Sequence, residues 1–156
     1  ARRADVHFFP YLGGRGAPNA DSRQRGALMG LTDETTPADI AEAVYRGIGL
    51  EFASMITDML AMGVSVEHVI CSGGAALDLY LVETIATCLD VPCSVAAGTN
   101  ASAVGAALLA HDAVSPGTGA RLGRHAARRL DALPGPSPWL EHREMLIGAQ
   151  HGAERP

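Results

Sequence analysis

The chain of 156 residues is long enough to bury one hydrophobic core and too short for two comfortable domains. Hydrophobic residues make up 47% and charged residues 19%, which indicates a globular domain rather than a disordered tail. The formal net charge of −5 argues against a nucleic-acid-binding face, and no apolar run approaches the ~20 residues that span a bilayer. We therefore expect neither a nucleic acid nor a membrane as partner.

The reactive residue types exclude several chemistries. All 12 basic residues are arginine, which excludes a Walker lysine or a Schiff-base lysine within this chain. The cysteines, Cys71, Cys88 and Cys93, form no CxxC motif, and we expect buried thiols in a reducing cytoplasm. The six histidines show no metal-ligand spacing, so no metal site is expected. Because the chain begins at Ala1 with no signal peptide after it, we expect a fragment of a longer cytoplasmic protein.

The first third of the chain predicts two strands and a long helix. Val6–Leu12 reads as an edge strand, a loop follows over Gly13–Arg25, and Ala27–Leu31 is a second strand. Thr36 is a natural N-cap, with Pro37 and Asp39 suited to the first turn of a helix that ends near Gly63. The expected apolar stripe of this helix is Ile40, Val44, Ile48, Phe52, Met55, Met59 and Met62. Gly47 and Gly49 within it indicate close approach to a neighbouring element.

The middle of the chain alternates strands and helices, an order that predicts an α/β fold with parallel pairing and right-handed crossovers. The expected elements are a strand over Glu67–Cys71, a turn at Ser72-Gly73-Gly74, a helix over Ala75–Leu89, a strand over Pro92–Ala97 and a helix over Ala101–Ala113. Beyond these, a short helix is expected to carry Arg121, Arg124, Arg128 and Arg129, and a last helix over Trp139–Gln150 is expected to dock on the domain.

The turn at Gly73 and Gly74 is the most informative local feature. Glycine lets a backbone approach a ligand closely, and N–H groups at a helix start favour anionic phosphate. A tight strand-to-helix turn also uses paired glycines for purely steric reasons, so the turn alone leaves both interpretations open.

Six short motifs follow one another along the chain. They are the phenylalanine-proline-tyrosine-leucine strand at 9–12, the glycine-arginine loop at 14–18, the arginine-glycine pair at 25–26, the glycine-leucine-threonine turn at 30–32, the glycine pair at 73–74 and the alanine-rich helix at 104–110. This ordered set resembles the FGGY carbohydrate kinase family, to which glycerol kinases and xylulokinases belong, over roughly residues 6 to 113. Two departures are Gly14, where the family usually has glutamate, and Ser72, where it usually has a third glycine.

The resemblance implies part of an actin-like, ribonuclease H-like ATPase domain. Residues 1–114 would form an incomplete C-terminal kinase domain and residues 115–156 a loop and helical tail. In the family this domain supplies one side of an ATP site, which places Gly73, Gly74 and Ala75 against the nucleotide. Asp78 stands where glycerol kinases carry an asparagine that meets adenine. A carboxylate there can accept a hydrogen bond from the adenine amino group, although a charge in the first turn of a helix explains Asp78 equally well.

The activity implied is transfer of the ATP γ-phosphate to a hydroxyl of a sugar or polyol, with Mg²⁺ in the complete enzyme. The catalytic aspartate and the sugar pocket lie upstream in the family, so no catalytic residue is assigned here, and the isolated chain is expected to be inactive. Its expected partners are the upstream kinase domain and the substrate, and a homodimer is left open. Two alternatives remain: a non-catalytic nucleotide-binding or interaction module derived from such a kinase, and an unrelated α/β domain with a tight glycine turn.

Overall fold

The computed structural model describes residues 6–89, 91–96 and 100–117, together with the backbone of a strand at 127–130. Strands and helices alternate after an initial strand pair, as the sequence predicts for an α/β fold. The elements in chain order are β1 (His7–Phe9), β2 (Ala27–Met29), α1 (Pro37–Ala61), β3 (Val69–Cys71), a 3₁₀ turn (Gly74–Leu77), α2 (Leu79–Cys88), β4 (Cys93–Ala96), α3 (Ala101–Val114) and β5 (Ala127–Leu130). Each expected strand over 6–97 is present but shorter than predicted.

The strands form two small sheets. β1 and β2 pair antiparallel. β3 and β4 pair in parallel, with Val69 opposite Cys93 and Cys71 opposite Val95, which confirms the parallel pairing expected from the strand–helix–strand order. β5 adds antiparallel to the other edge of β4. The prediction of a helix around Arg128 and Arg129 is therefore wrong, because both residues lie in a strand whose backbone pairs with β4. The predicted helix over 139–150 lies outside the described residues.

Helix α1 begins where the sequence predicts, because its first turn is closed by local hydrogen bonds. The Thr36 hydroxyl accepts a hydrogen bond from the Asp39 N–H, and the Asp39 carboxylate accepts one from the Thr36 N–H. This reciprocal arrangement satisfies two backbone donors that would otherwise have no partner in the helix. Hydrogen bonds from Thr36 also hold the pKa of Asp39 below its ordinary value. The helix runs to Ala61, and Gly63 follows with a positive φ of 84°.

The buried face of α1 differs from the predicted apolar stripe. Phe52 and Met62 of that stripe are exposed, at 42% and 62% of their surface. The helix instead buries a face composed mainly of small residues: Ala43, Arg46, Gly47, Gly49, Leu50, Ala53 and Ser54. Small side chains allow the backbones of β1 and α2 to come close, so packing distance rather than hydrophobicity selects the face.

The two glycines of α1 make these close approaches, as the sequence predicts. A Cβ on Gly47 would lie 2.3 Å from the Phe8 carbonyl oxygen on β1, and a Cβ on Gly49 would lie 3.0 Å from the Cys88 sulfur on α2. The main hydrophobic core forms between α1, α2 and the start of β4. It joins Leu50 and Ala53 of α1 with Ile85, Ala86, Cys88, Leu89 and Cys93.

Candidate functional site

The glycine turn predicted to face a nucleotide follows directly after β3. Val69 donates its N–H to the Pro92 carbonyl at 2.8 Å, which ties the start of β3 to the segment that leads into β4. Gly73 has φ 91° and ψ −173°, a conformation that is essentially restricted to glycine. The space beside Gly73 and Gly74 is open, since a Cβ on either would meet no atom within 4 Å. The turn therefore needs glycine at 73 for its backbone and leaves room for a ligand at 74.

The segment after the turn is not the single helix predicted over Ala75–Leu89. Gly74–Leu77 is a 3₁₀ turn, in which Ala76 donates its N–H to the Gly73 carbonyl at 3.1 Å. The α-helix begins only at Leu79, with Asp78 as its N-cap in an extended conformation. Asp78 can cap the helix because its side-chain oxygen takes the N–H of Leu81, a bond that competes with continuing the turn.

The Asp78 carboxylate is held by two donors. Its Oδ1 accepts the Leu81 N–H at 3.1 Å, and its Oδ2 accepts the Tyr45 hydroxyl at 2.7 Å. The hydrogen bond from Tyr45, followed by that from Leu81, lowers the pKa of Asp78 below its ordinary value. The same contact raises the pKa of Tyr45. Each carboxylate oxygen retains a second lone pair, so the ionised group can still accept a hydrogen bond from a ligand.

Tyr45 is the residue at this site that sequence reasoning missed. It lies on α1, 33 residues before Asp78, and its ring packs edge-to-face on Tyr80 with centroids 4.9 Å apart. No local pattern around Tyr45 indicates this contact, because the contact depends on how α1 crosses α2. A tyrosine about two and a half turns after the capped start of a predicted helix is not by itself a signal of function.

The glycine-arginine loop that contributes to the family resemblance is anchored to α1 by polar contacts. Arg15 donates to the Ser54 hydroxyl at 2.7 Å and lies 3.5 Å from carboxylate oxygens of Glu51 and Asp58. Tyr11 donates to the other Glu51 oxygen at 2.9 Å. The Arg15 side chain is only 10% exposed, so these contacts fix the loop against the helix. In this structure the arginine of the motif has a structural role.

The structure does not bring together a metal centre within the described parts of the chain. No group of three or more histidine, cysteine, aspartate or glutamate side chains lies close enough there to hold a metal ion. His68 forms a polar pair with the buried Ser94, at 2.8 Å between Nε2 and Oγ. Among the helices that are described, none has the length and hydropathy needed to cross a bilayer.

Comparison with known proteins identifies the family. The model of the C-terminal domain of the FGGY family of carbohydrate kinases matches residues 1–114. The chain belongs to this family. A glycerol kinase from Lactococcus lactis is 36% identical to it over 111 residues, which are 70% of this chain and 22% of that protein.

Solved structures support the same fold for this FGGY chain. A xyloylose kinase from Brucella ovis matches 99% of the chain and 33% of its own, with a TM-score of 0.80 and 23% identity. A glycerol kinase from Plasmodium falciparum, crystallised with ADP, matches 97% of the chain and 30% of its own, with a TM-score of 0.64 and 22% identity. At these identities the likeness shows the fold alone. The chain spans about a fifth of the length of the curated relative and about a third of each solved structure.

Proposed function

We propose that this chain is the C-terminal nucleotide-binding part of an ATP-dependent carbohydrate kinase. The observation that carries the proposal is the open turn at Gly73 and Gly74, directly after the parallel strand β3. In sheets of this kind, ligands bind beyond the carboxyl ends of parallel strands. Membership of the FGGY family and the ADP in the Plasmodium falciparum structure support ATP as the nucleotide.

Four residues would contact the nucleotide: Gly73, Gly74, Ala75 and Asp78. Gly73 shapes the turn, and Gly74 and Ala75 offer backbone N–H groups that make no hydrogen bond to the described residues. Asp78 would accept a hydrogen bond from the adenine amino group through a remaining lone pair. Its carboxylate is already oriented by Tyr45 and Leu81, so binding would not require the side chain to be reoriented.

The chemical step would take place in the complete enzyme, between the nucleotide and a sugar or polyol. A hydroxyl of that substrate would attack the γ-phosphate, a base would accept its proton, and Mg²⁺ would neutralise charge on the phosphates. In this family the catalytic aspartate and the sugar pocket lie upstream of the segment seen here, so we place the base and the metal with the upstream kinase domain. The chain would then form the incomplete C-terminal part of an actin-like, ribonuclease H-like domain over 1–114, in a cytoplasmic enzyme.

Titration of ADP into the isolated chain tests this proposal. We expect saturable binding of ADP and no transfer of phosphate from ATP to glycerol or xylulose, because the proposed nucleotide contacts belong to this chain and the proposed base belongs to the upstream domain. Calorimetry measures the first, and a coupled assay for ADP release measures the second. A chain that folds but shows no heat of ADP binding would contradict the assignment. Phosphoryl transfer by the isolated chain would contradict the proposal that the catalytic base lies in the upstream domain.

A further inference from the structure

Two thiols meet beneath the glycine turn. Cys71 is the last residue of β3 and Cys93 the first of β4, and their sulfur atoms lie 3.6 Å apart. In the register of the parallel pair, Cys71 is opposite Val95 and Cys93 is opposite Val69, so the two cysteines are diagonal neighbours on adjacent strands. The third cysteine, Cys88, lies at the end of α2 against Gly49. All three are present as thiols.

The two members of the pair differ in access to solvent. Cys93 is fully buried, and this burial, together with the contact to Cys71, raises the pKa of its thiol to about 12. It is therefore protonated at neutral pH and does not react first with an oxidant. Cys71 is only half-buried, since it lies where β3 leaves the sheet and enters the exposed turn. An oxidant in solvent reaches Cys71 before Cys93.

We propose that Cys71 and Cys93 form a peroxide-sensitive dithiol that closes to a disulfide beneath the turn. Hydrogen peroxide would oxidise the Cys71 thiol to a sulfenic acid and be reduced to one molecule of water. The Cys93 sulfur would then attack the Cys71 sulfur, forming the S–S bond, while the Cys93 proton and the sulfenic hydroxyl leave as a second molecule of water. The net change is the loss of two hydrogen atoms from the protein. A dithiol reductant such as dithiothreitol reverses it by thiol–disulfide exchange.

Closure must change the turn. A disulfide bond is about 2.05 Å long, so the two sulfurs have to approach by about 1.5 Å from their present separation. Cys71 immediately precedes Ser72 and Gly73 and packs against the edge of the main core cluster, whereas Cys93 is a fully buried member of that cluster. The movement would therefore fall mainly on the exposed end of β3. This consequence for the ligand rests on the proposed nucleotide site, whereas formation of the disulfide does not.

Peptide mapping of the intact chain after treatment with hydrogen peroxide tests the disulfide directly. Cleavage after glutamate and before aspartate places the three cysteines in separate fragments, at 68–77, 84–89 and 90–111. We expect fragments 68–77 and 90–111 to be joined in one species, whose mass is two hydrogens less than the sum of the two fragment masses. This species should disappear on treatment with dithiothreitol. A link through 84–89, disulfides only between chains, or oxidation of Cys71 without any link would overturn the proposal.

Three serine variants provide the controls. Cys71→Ser and Cys93→Ser should each abolish the link, whereas Cys88→Ser should leave it unchanged. Melting curves of the reduced variants check that each still folds. In the unsubstituted chain, oxidation should lower ADP affinity by about five-fold or more, the lower end of ordinary coupling between sites. If the link forms and ADP affinity does not change, the dithiol stands and its effect on the turn is refuted. If the reduced chain binds no ADP, the proposed function fails and the disulfide is judged on the map alone.

Discussion

At the scale of single residues, the site depends on a carboxylate whose partners come from two helices. Asp78 caps α2 through the Leu81 N–H and accepts the hydroxyl of Tyr45 on α1. The sequence predicts neither contact, because it places Asp78 in the first turn of a helix over 75–89 rather than at the N-cap of a helix that begins at Leu79. A hydrogen bond between residues 33 positions apart depends on the packing of α1 against α2 and leaves no trace in local spacing.

Removing the hydroxyl with Tyr45→Phe should make stability less dependent on pH in the acid range. The pKa of Asp78 is lowered in the folded state. Its ionised form therefore stabilises the folded protein at pH values above the pKa of aspartate in the unfolded chain, about 3.9. This contribution is lost as pH falls through the lower folded value. We expect a gap in melting temperature between the parent and Tyr45→Phe at pH ~7 that narrows below pH ~4.

Tyr80→Phe is the matched control for that measurement. Tyr80 packs on the same ring, and its hydroxyl makes no hydrogen bond to any residue that the structure describes. Loss of the Tyr80 hydroxyl should give no difference in melting temperature that becomes smaller as the pH falls. If the two variants showed the same dependence on pH, the contact between Tyr45 and Asp78 would not be the cause of the lowered pKa.

At the scale of elements, the beginning of α1 was predictable and its buried face was not. The start is encoded by Thr36, Pro37 and Asp39, which act within one turn of each other. The buried face of α1 is the one that contacts β1 and α2, where small residues permit the closest approach. The spacing of hydrophobic residues along the helix does not indicate where small residues allow such contacts. The interruption at Asp78 has a local origin, because its capping side chain outweighs the helical propensity of the alanines and leucines around it.

The close contact between α1 and β1 predicts an unequal response to two substitutions in one helix. Gly47→Ala should lower the free energy of unfolding by about 1–3 kcal/mol, because the new methyl group would collide with a backbone carbonyl of β1. Gly49→Ala gains the same helical propensity of about 1 kcal/mol and makes milder contacts, with the Cys88 sulfur at 3.0 Å and the Thr84 carbonyl oxygen at 3.3 Å. Urea unfolding of both variants measures the difference. Equal effects would show that the approach of Phe8 to Gly47 does not contribute to packing.

At the scale of the whole molecule, the family could be recognised from the order of the motifs, whereas the edges of the fold could not. The glycine-arginine loop, α1, the glycine pair and α3 occur in the expected sequence, and the family match over 1–114 agrees with it. The strand β5 was missed because Arg128 and Arg129 have no alternating apolar partners, so nothing in that segment indicates pairing. Apolar residues of α3 are also exposed, with Leu109 at 76% and Val114 at 85%. The spacing of apolar residues in a helix predicts that they are buried, and it does not predict exposure in a chain that spans about a fifth of its curated relative.

The central claim is that a nucleotide lies against the open turn, and Gly74→Val tests it most directly. Because a Cβ at 74 would meet no atom within 4 Å beyond its two chain neighbours, the variant should fold like the parent. Gly16→Val is the matched control, an exposed loop glycine with equally open surroundings. We predict that ADP binding measured by calorimetry is lost in Gly74→Val and retained in Gly16→Val, with unchanged melting temperatures. Equal ADP affinity in both folded variants would contradict the account.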